Sequence, residues 1–364
     1  MIIQASGALI DGSLLGDLWI ETSKGVITSI NPGTHSKPDS STDGVLIPGF
    51  VDIHCHGGGG HYFSATATDS IAAAIKAHKK TGTTSLVASL VSESIDDLKE
   101  QIQRLVPFYN CGDIVGIHLE GPYLSHARCG AHEPSLLIDP TVTQLQELIT
   151  LGQGAIKMVT IAPELHGAQE AIAFLASVGV FASIGHTEGN YQDASIATDN
   201  GASIVTHFLN AMNKENTEGS IANFVTNDPR LAVELIVDGH HLAFEKVEEL
   251  FASIGDRIIL VSDAMAAAGN GDGLYTIGAL PVEVKDGVAR LTSNQKLAGS
   301  TLTISQAFFN LINHCGLSLK QAVHATSTQP ARVFGLQDRG EIAIGMRADL
   351  LSYDSKAQSL TVIN

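Results

Sequence analysis

Five apolar segments of the chain each end in a histidine or a carboxylate, the side chains that most often bind metal ions or move protons. The segments are GFVDIHCH, DIVGIHLEGP, VFASIGHT, ASIVTHFLNAM and RIILVSDAM. If each is a buried strand of a parallel α/β barrel, these side chains lie at the carboxyl ends of strands, which meet on the catalytic face of that fold. The residues concerned are His54, His56, Glu120, His186, His207 and Asp263. Together they predict a metal-dependent hydrolase.

His54 and His56 are predicted to bind the same metal ion. Side chains two residues apart point to the same side of an extended strand, so both imidazoles face one position. Taken alone, a His-x-His pair is equally consistent with two ordinary polar residues at a strand end. Asp52, just before the pair, is expected to orient a ligand histidine through a hydrogen bond.

Glu120, His186 and His207 are the three protein ligands expected of a catalytic zinc site, which leaves a fourth position for water. The two histidines are separated by about one βα unit. Either one alone is also consistent with a capping or core histidine. His118 lies on the same strand face as Glu120 but one step deeper, and it is predicted to be a hydrogen-bonded core residue.

Asp263 ends the last of the five segments and precedes the small residues AMAAAG. A carboxylate beside a metal-activated water can take a proton and later deliver it to a leaving group. This position predicts a general acid/base. The alternative is that Asp263 caps the amino end of a following helix.

The elements that position these residues alternate between apolar runs and helical stretches, a pattern typical of βα units around a parallel sheet. TDSIAAAIKAHKKTG is one such helix, with Asp69 or Ser70 expected to cap it and Gly82 to close it. The sequence therefore predicts an α/β fold, a closed (β/α)8 TIM-like barrel, with a doubly wound open sheet as the alternative. Strands are predicted near 46–53, 84–91, 113–119, 155–161, 180–184, 202–206, 231–237 and 257–262.

Both ends of the chain have β character, with alternating polarity broken by glycines. Residues 1–45 and 337–364 are predicted to pair into one small β-sandwich domain, and residues 46–336 to form the barrel. The Gly57–Gly60 run lacks the Lys-Ser/Thr of a phosphate-binding P-loop, so we expect a mobile loop there.

Composition limits the classes of partner. The 364 residues include 21 Lys+Arg against 38 Asp+Glu, a formal net charge of −17, which disfavours nucleic acid and anionic membranes. The four cysteines include no C-x-x-C pair and indicate a reducing compartment. An amino terminus without the basic region of a signal peptide predicts a cytoplasmic protein. No apolar run approaches the roughly 18 to 20 residues of a membrane span.

The order of the motifs resembles the N-acetylglucosamine-6-phosphate deacetylase family of the amidohydrolase superfamily. The resemblance covers nearly the whole chain and is most specific in HLEGPYLSHARCGAHEP, GHTEG, THFLNAMN, VDGHH, VSDAMAAAG and LAGSTLTISQA. It implies a barrel with a β-sandwich from both termini and a homodimer. It also implies hydrolysis of the N-acetyl amide of an amino sugar phosphate to acetate and the free amine.

The resemblance also implies roles for individual residues. Glu120, His186 and His207 match the main metal ligands, Asp263 the general acid/base, and His132 the residue that polarises the acetyl carbonyl. Asn210, Ala211 and His241 match the family's phosphate site, and His132 and Leu302 are further candidate substrate contacts.

The cofactor implied by the resemblance is a divalent metal, with zinc first and iron, manganese or cobalt as alternatives. Some members of the family lack the His-x-His pair and hold one ion, whereas others keep the pair. The presence of His54 and His56 favours a two-metal site in which Glu120 bridges the ions and Asp263 touches the second. Cys129 matches a loop cysteine of some members, with an ordinary loop thiol as the alternative.

One departure from the family concerns phosphate binding. Members usually carry an Arg before Glu-Pro-Gly that reaches the phosphate across the dimer interface, whereas this chain has Thr217-Glu218-Gly219. An Arg provides a bidentate fork to phosphate, so its loss weakens or reroutes phosphate recognition.

The candidate replacements for this Arg are Lys214, His240 and Arg230. Deacetylation of N-acetylgalactosamine 6-phosphate or of a non-phosphorylated N-acetyl sugar is therefore an alternative function. A cyclic-amide hydrolase and a catalytically silent barrel that binds sugar are further alternatives.

Overall fold

The computed structural model describes residues 1–363, which form twenty strands and ten α-helices. In chain order the strands are β1 (Ile2–Ile10), β2 (Ser13–Leu15), β3 (Leu18–Ser23), β4 (Val26–Pro32), β5 (Ser40–Pro48), β6 (Phe50–Cys55), β7 (Gly57–Gly58), β8 (His61–Tyr62), β9 (Thr83–Leu90), β10 (Gly116–Glu120), β11 (Ile156–Ile161), β12 (Phe181–Ile184), β13 (Ala202–Val205), β14 (Ala232–Leu235), β15 (Ile258–Leu260), β16 (Gly273–Ile277), β17 (Leu280–Lys285), β18 (Val288–Leu291), β19 (Leu350–Asp354) and β20 (Ser359–Ile363). The helices are α1 (Thr68–Lys80), α2 (Ile95–Asn110), α3 (Val142–Leu151), α4 (Ala168–Ser177), α5 (Tyr191–Asp199), α6 (Ile221–Asn227), α7 (Phe244–Ile254), α8 (Ile304–Asn313), α9 (Leu319–Val323) and α10 (Gln329–Val333).

Eight parallel strands form the central sheet, in the order β15-β14-β13-β12-β11-β10-β9-β6. They are rich in apolar residues because helices cover their outer side and side chains fill the interior. The barrel closes between β6 and the segment after β15. Cys55 and Ala264 form a parallel bridge there, and the Asp263 N–H donates to the His54 carbonyl at 2.9 Å. The predicted TIM-like barrel is confirmed, and each of its eight strands overlaps a predicted one.

A seven-stranded sheet contains the strands from both ends of the chain, in the order β20-β19-β5-β1-β3-β4 with β2 paired to β1. β5 pairs in parallel with β1 and antiparallel with β19, so the two termini share one sheet. Side chains of this sheet, Ile20 and Leu46 among them, form an apolar cluster separate from the barrel core. The predicted separate β domain made by both termini is confirmed. Its proposed bounds, 1–45 and 337–364, stay a prediction; in the structure β5 continues to Pro48.

A three-stranded antiparallel sheet, β16-β17-β18, follows the last barrel strand and was not predicted. We call residues 273–299, which contain it and the following turn, the insert. The hairpin from β17 to β18 turns at Asp286-Gly287, a dipeptide typical of tight hairpin turns. The insert has its own small apolar core, which includes Val282 and Leu291.

Two local predictions near the first barrel strand are wrong. The residue that precedes α1 is Ala67, and no side chain caps that helix. The Gly57–Gly60 run is an ordered hairpin rather than a mobile loop, because the N–H groups of Gly57, Gly59 and Gly60 donate to carbonyls of residues 264–268. A Cβ on Gly57 would lie 2.3 Å from the His61 carbonyl oxygen, so the tight hairpin requires glycine. No helix within residues 1–363 combines the length and the apolar character needed to cross a bilayer.

Candidate active site

Glu120, at the carboxyl end of β10, lies at the centre of the predicted ligands. Its Oε1 atom is 2.8 Å from His207 Nε2 and 3.2 Å from His186 Nε2. Its Oε2 atom is 3.1 Å from His56 Nε2. Burial would raise the pKa of Glu120, but His54 and the hydrogen-bonded histidines hold it well below its usual range. The carboxylate is therefore ionised and contacts two groups of imidazoles at once.

His54 and His56 face the same position, as their spacing on β6 predicts. Their Nε2 atoms are 3.1 Å apart, and both lie within 3.5 Å of the Asp263 Oδ1 atom. His54 is oriented by Glu234, whose Oε2 atom is 3.0 Å from His54 Nδ1. When the ring is neutral, Nδ1 donates to that carboxylate and the lone pair of Nε2 points into the site.

Asp52 does not orient a ligand side chain, contrary to the prediction. Its carboxylate accepts from the Ser262 hydroxyl at 2.6 Å and from the N–H groups of Ser262 and His54. These bonds join the first and last barrel strands below the site. Asp52 therefore stabilises closure of the barrel, and the role predicted for it belongs to Glu234.

His186 and His207 come from neighbouring strand ends, and their Nε2 atoms are 3.1 Å apart. The Nδ1 atom of His186 lies 2.8 Å from the Arg128 carbonyl oxygen, which can only accept, so Nδ1 carries the proton and Nε2 the lone pair. Burial lowers the pKa of His186 to about 4, which keeps the ring neutral. The ring is thus in the form that binds a metal.

Three of these residues have strained backbones. His186, His207 and Asp263 have φ angles of +50°, +27° and +46°, in the left-handed region that non-glycine residues seldom adopt. Each such residue costs about 1–3 kcal/mol, and the cost is typically found where a side chain must point at a functional site. The turn at each strand end directs the side chain toward the barrel axis.

Asp263 is not a helix cap, because the next helix, α8, begins at Ile304. Its backbone is fixed by its N–H, which donates to the His54 carbonyl, and by its carbonyl, which accepts from the Ser300 N–H at 2.7 Å. Burial would raise the pKa of Asp263, but the nearby His54 and a hydrogen bond with His56 lower it. An ionised, immobilised carboxylate is suited to accept a proton.

His132 lies on the loop after β10, and its ring is oriented by Ser92. The Ser92 N–H donates to His132 Nδ1 at 3.2 Å, so Nδ1 is the unprotonated nitrogen of the neutral ring. Nε2 then carries the proton and lies 3.4 Å from Glu120 Oε2. A ring in this form donates a hydrogen bond from Nε2, so we assign His132 as a donor rather than as a metal ligand.

The donor set fits divalent metal ions. Ligand atoms of His54, His56, Glu120 and Asp263 all lie within 4.8 Å of one another, and Glu120 also belongs to a second such group with His132 and His186. Zinc bonds of 2.0–2.1 Å in tetrahedral geometry place neighbouring nitrogens about 3.3 Å apart. The separations of 3.1 Å between Nε2 atoms are close to this value. The two groups share Glu120.

A cavity of about 340 Å³ opens above these groups. Glu120, His132, His186, His207 and Asp263 line its floor, whereas His54 and His56 are buried below it. The predicted substrate contacts Asn210, Ala211 and His241 also line it. Leu302 does not: it is buried, and its N–H donates to the Ser300 hydroxyl.

His241 is held in place by Asp238. Its Nδ1 atom is 2.7 Å from Asp238 Oδ2, and the same carboxylate accepts from the backbone N–H groups of His240 and His241. Burial would raise the pKa of Asp238, but the hydrogen bonds from His241 lower it below its usual value. A fixed ring at the cavity wall can orient a ligand.

Two other predictions concern residues around the site. His118 is a core histidine, as predicted, with Ser89 Oγ at 3.0 Å and Thr160 Oγ1 at 2.8 Å from its ring nitrogens. Cys129 is half-buried on the loop between Glu120 and His132 and has no disulfide. Neither residue lines the cavity.

Sequence reasoning missed Glu234 and the insert. Glu234 is the charged residue inside the apolar run LAVELIV. A charge buried in such a strand needs a partner, so its presence could have indicated a paired side chain. The insert contributes Ile277, Lys296, Leu297 and Gly299 to the cavity wall. The turn sequence of the insert could be recognised in the chain, but nothing in the sequence indicated that the insert lies beside the cavity.

Comparison with known proteins agrees with this geometry. Residues 45–363 match the model of the amidohydrolase family. The chain belongs to the amidohydrolase family. It is therefore a hydrolase that acts on amide bonds and depends on a metal.

Individual members of the amidohydrolase family are similar over the full length. The structure is similar to that of an N-acetyl-D-glucosamine-6-phosphate deacetylase from Mycobacterium smegmatis in complex with N-acetyl-D-glucosamine-6-phosphate, with a TM-score of 0.96, 40% identity, and coverage of 100% of this chain and 97% of that one. An N-acetylgalactosamine-6-phosphate deacetylase from Escherichia coli O157:H7 is 31% identical over 97% of this chain and 95% of its own length. An N-acetylglucosamine-6-phosphate deacetylase from Lysinibacillus sphaericus is 31% identical over 93% and 89%.

Replacing Glu234 tests the support of His54. The Glu234→Gln variant is expected to bind metal roughly 10- to 100-fold more weakly, because a neutral amide no longer increases the basicity of the ring. Competition against a chromogenic chelator measures the affinity. Glu170→Gln, at an exposed position in the first turn of α4, is the control. If the metal affinity of Glu234→Gln were unchanged, the role of Glu234 would be only to accept the hydrogen bond from the His207 N–H.

Proposed function

We propose that the chain removes the acetyl group from N-acetylglucosamine 6-phosphate, giving glucosamine 6-phosphate and acetate. The observation that carries this proposal is the arrangement around Glu120. A base, Asp263, and a hydrogen-bond donor, His132 Nε2, face one cavity above two groups of metal-ligating imidazoles. The deacetylases among the similar proteins support the substrate class.

We propose zinc as the metal, one or two ions per subunit, held by Glu120, His186 and His207 and by His54 and His56. The nitrogen-rich donor set supports zinc, with iron, manganese and cobalt as alternatives that imidazole also binds. Such an ion supplies Lewis-acid chemistry, acidifying water and polarising a carbonyl oxygen.

The protein side chains then supply proton transfer and orientation. Asp263 accepts a proton from the attacking water as the new C–O bond forms at the acetyl carbon. The Nε2–H of His132 donates to the carbonyl oxygen as negative charge develops there. When the C–N bond breaks, the proton on Asp263 passes to the departing sugar nitrogen, which leaves as the free amine.

A second substrate, N-acetylgalactosamine 6-phosphate, is supported by the similarity to the Escherichia coli enzyme. The two sugars differ only in the orientation of one hydroxyl group. We also propose a homodimer, which the motif resemblance supports and light scattering would test. The cytoplasmic location stays a prediction.

Acetate release tests the proposed function directly. Metal-analysed protein would be given N-acetylglucosamine 6-phosphate, N-acetylgalactosamine 6-phosphate and N-acetylglucosamine, and kcat/KM measured for each. We expect the highest value for N-acetylglucosamine 6-phosphate. A higher value for the galactosamine ester would assign the second substrate, and a preference for the neutral sugar would contradict phosphate recognition.

A further inference from the structure

We propose that Lys214 and Lys296 bind the phosphate group of the substrate from two walls of the same cavity, within one subunit. This inference rests on the proposed function. Both residues line the cavity that contains Glu120 and Asp263. Lys214 lies on the loop between β13 and α6, and Lys296 lies in the turn that closes the insert.

The charge of the protein makes local cations necessary. A phosphate monoester carries about −1.5 to −2 charges at neutral pH. It must approach a chain of formal net charge −17 through a cavity whose floor contains two carboxylates, Glu120 and Asp263. A metal held by Glu120 and the histidines would offset those carboxylates, but at the end of the cavity where the amide reacts. Cations on the cavity wall are therefore needed to attract the other end of the substrate.

Lys214 and Lys296 are free to take this role. Within residues 1–363, no carboxylate forms an ion pair with either ammonium group and no hydrogen bond involves it. Both side chains are exposed. The third cation of the cavity, Arg128, is in contrast paired with Glu188. A lysine binds phosphate as a mobile point charge, so it needs no preformed fork.

The other two cations considered from the sequence are placed elsewhere. Arg230 forms ion pairs with Asp228 and Asp199 on the outer surface. Neither Arg230 nor His240 lines the cavity. Of the three candidates, only Lys214 contributes to the site, and Lys296 is added by the unpredicted insert.

The backbone fixes Lys296 at the cavity wall. The Leu291 N–H donates to the Lys296 carbonyl at 2.9 Å, and the Lys296 N–H donates to Asn294 Oδ1 at 3.0 Å. The adjacent Leu297 and Gly299 line the same wall. The turn thus holds the Cα of Lys296 in place while its long side chain reaches into the cavity.

Two measurements on metal-loaded protein test the assignment, with the variants Lys214→Met, Lys296→Met and the double variant. The first is the ratio of kcat/KM for N-acetylglucosamine 6-phosphate to that for N-acetylglucosamine. Each single substitution is expected to lower this ratio about tenfold, the effect of losing one charge-assisted hydrogen bond. The second is the affinity for glucosamine 6-phosphate by calorimetry, expected to weaken by a similar factor. Lys76→Met, exposed on α1, is the control.

The two measurements separate this inference from the proposed function. Wild-type protein that binds glucosamine 6-phosphate through these lysines but releases no acetate would contradict the deacetylase activity alone. Wild-type activity with a phosphate preference that survives in the double variant would overturn the lysine assignment alone. An equal loss of both substrates would also overturn it, because it would show damage to the catalytic centre.

Discussion

Replacing Asp263 by Asn is expected to lower kcat by roughly 10²- to 10⁴-fold while bound metal is retained. Asparagine has nearly the same shape, and the backbone bonds of Asp263 to His54 and Ser300 do not involve the side chain. The variant therefore keeps its geometry but cannot accept a proton. Acetate release under saturating substrate gives kcat, and elemental analysis of the same protein gives the metal content.

The design separates proton transfer from metal binding. Asp263 Oδ1 lies 3.4–3.5 Å from two histidine ligands, so it could serve as a ligand as well as a base. A loss of activity together with fewer ions per subunit than in the wild-type protein would identify it as a metal ligand. An Asp263→Asn variant with normal turnover would remove Asp263 from proton transfer. Asp69→Asn, exposed at the first turn of α1, is the matched control.

Residues at the ends of predicted strands could be placed from the sequence alone, because the barrel brings all its strand ends to one face. His54, His56, Glu120, His186, His207 and Asp263 follow this rule. These residues could be grouped into one site without any structural distances, because the apolar runs show where each strand ends. The fold class followed from the same alternation of strands and helices.

Partners far apart in sequence could not be predicted in this way. Glu234 meets His54 across 180 residues, and Ser92 orients His132 across 40. The identity of such partners depends on which side chains face each other across the barrel. Lys296 is a similar case, because spacing along the chain does not show which loop covers the cavity.

The local errors have simple physical causes. Asp69 and Ser70 are good capping residues, but α1 begins at Thr68, so both already lie inside its first turn. The Ser70 hydroxyl instead lies 2.8 Å from His61 Nδ1. Glycines after β6 indicated mobility, whereas here they allow the backbone to approach a neighbouring strand closely. In both places tertiary contacts outweigh local preference.

Replacing Glu120 by Gln is expected to weaken metal binding by more than the roughly 100-fold typical of an outer partner such as Glu234. Glu120 is the residue that both groups of histidines share, with Oε1 near His186 and His207 and Oε2 near His56. Glutamine keeps one oxygen and replaces the other with an NH2 group that cannot bind a cation. The negative charge is lost whichever way the amide turns, and one of the two groups of histidines then faces an NH2 group in place of an oxygen.

The measurement is metal content after dialysis against a weak chelator, followed by acetate release with and without added zinc. Glu120→Gln should be depleted of metal where the Glu170→Gln control is not, and its activity should fall by at least the same factor as its metal occupancy. Partial rescue by excess zinc would show that the histidines still form a weak site. Full metal content in Glu120→Gln would contradict a central role for Glu120, because the imidazoles alone would then suffice to hold the metal.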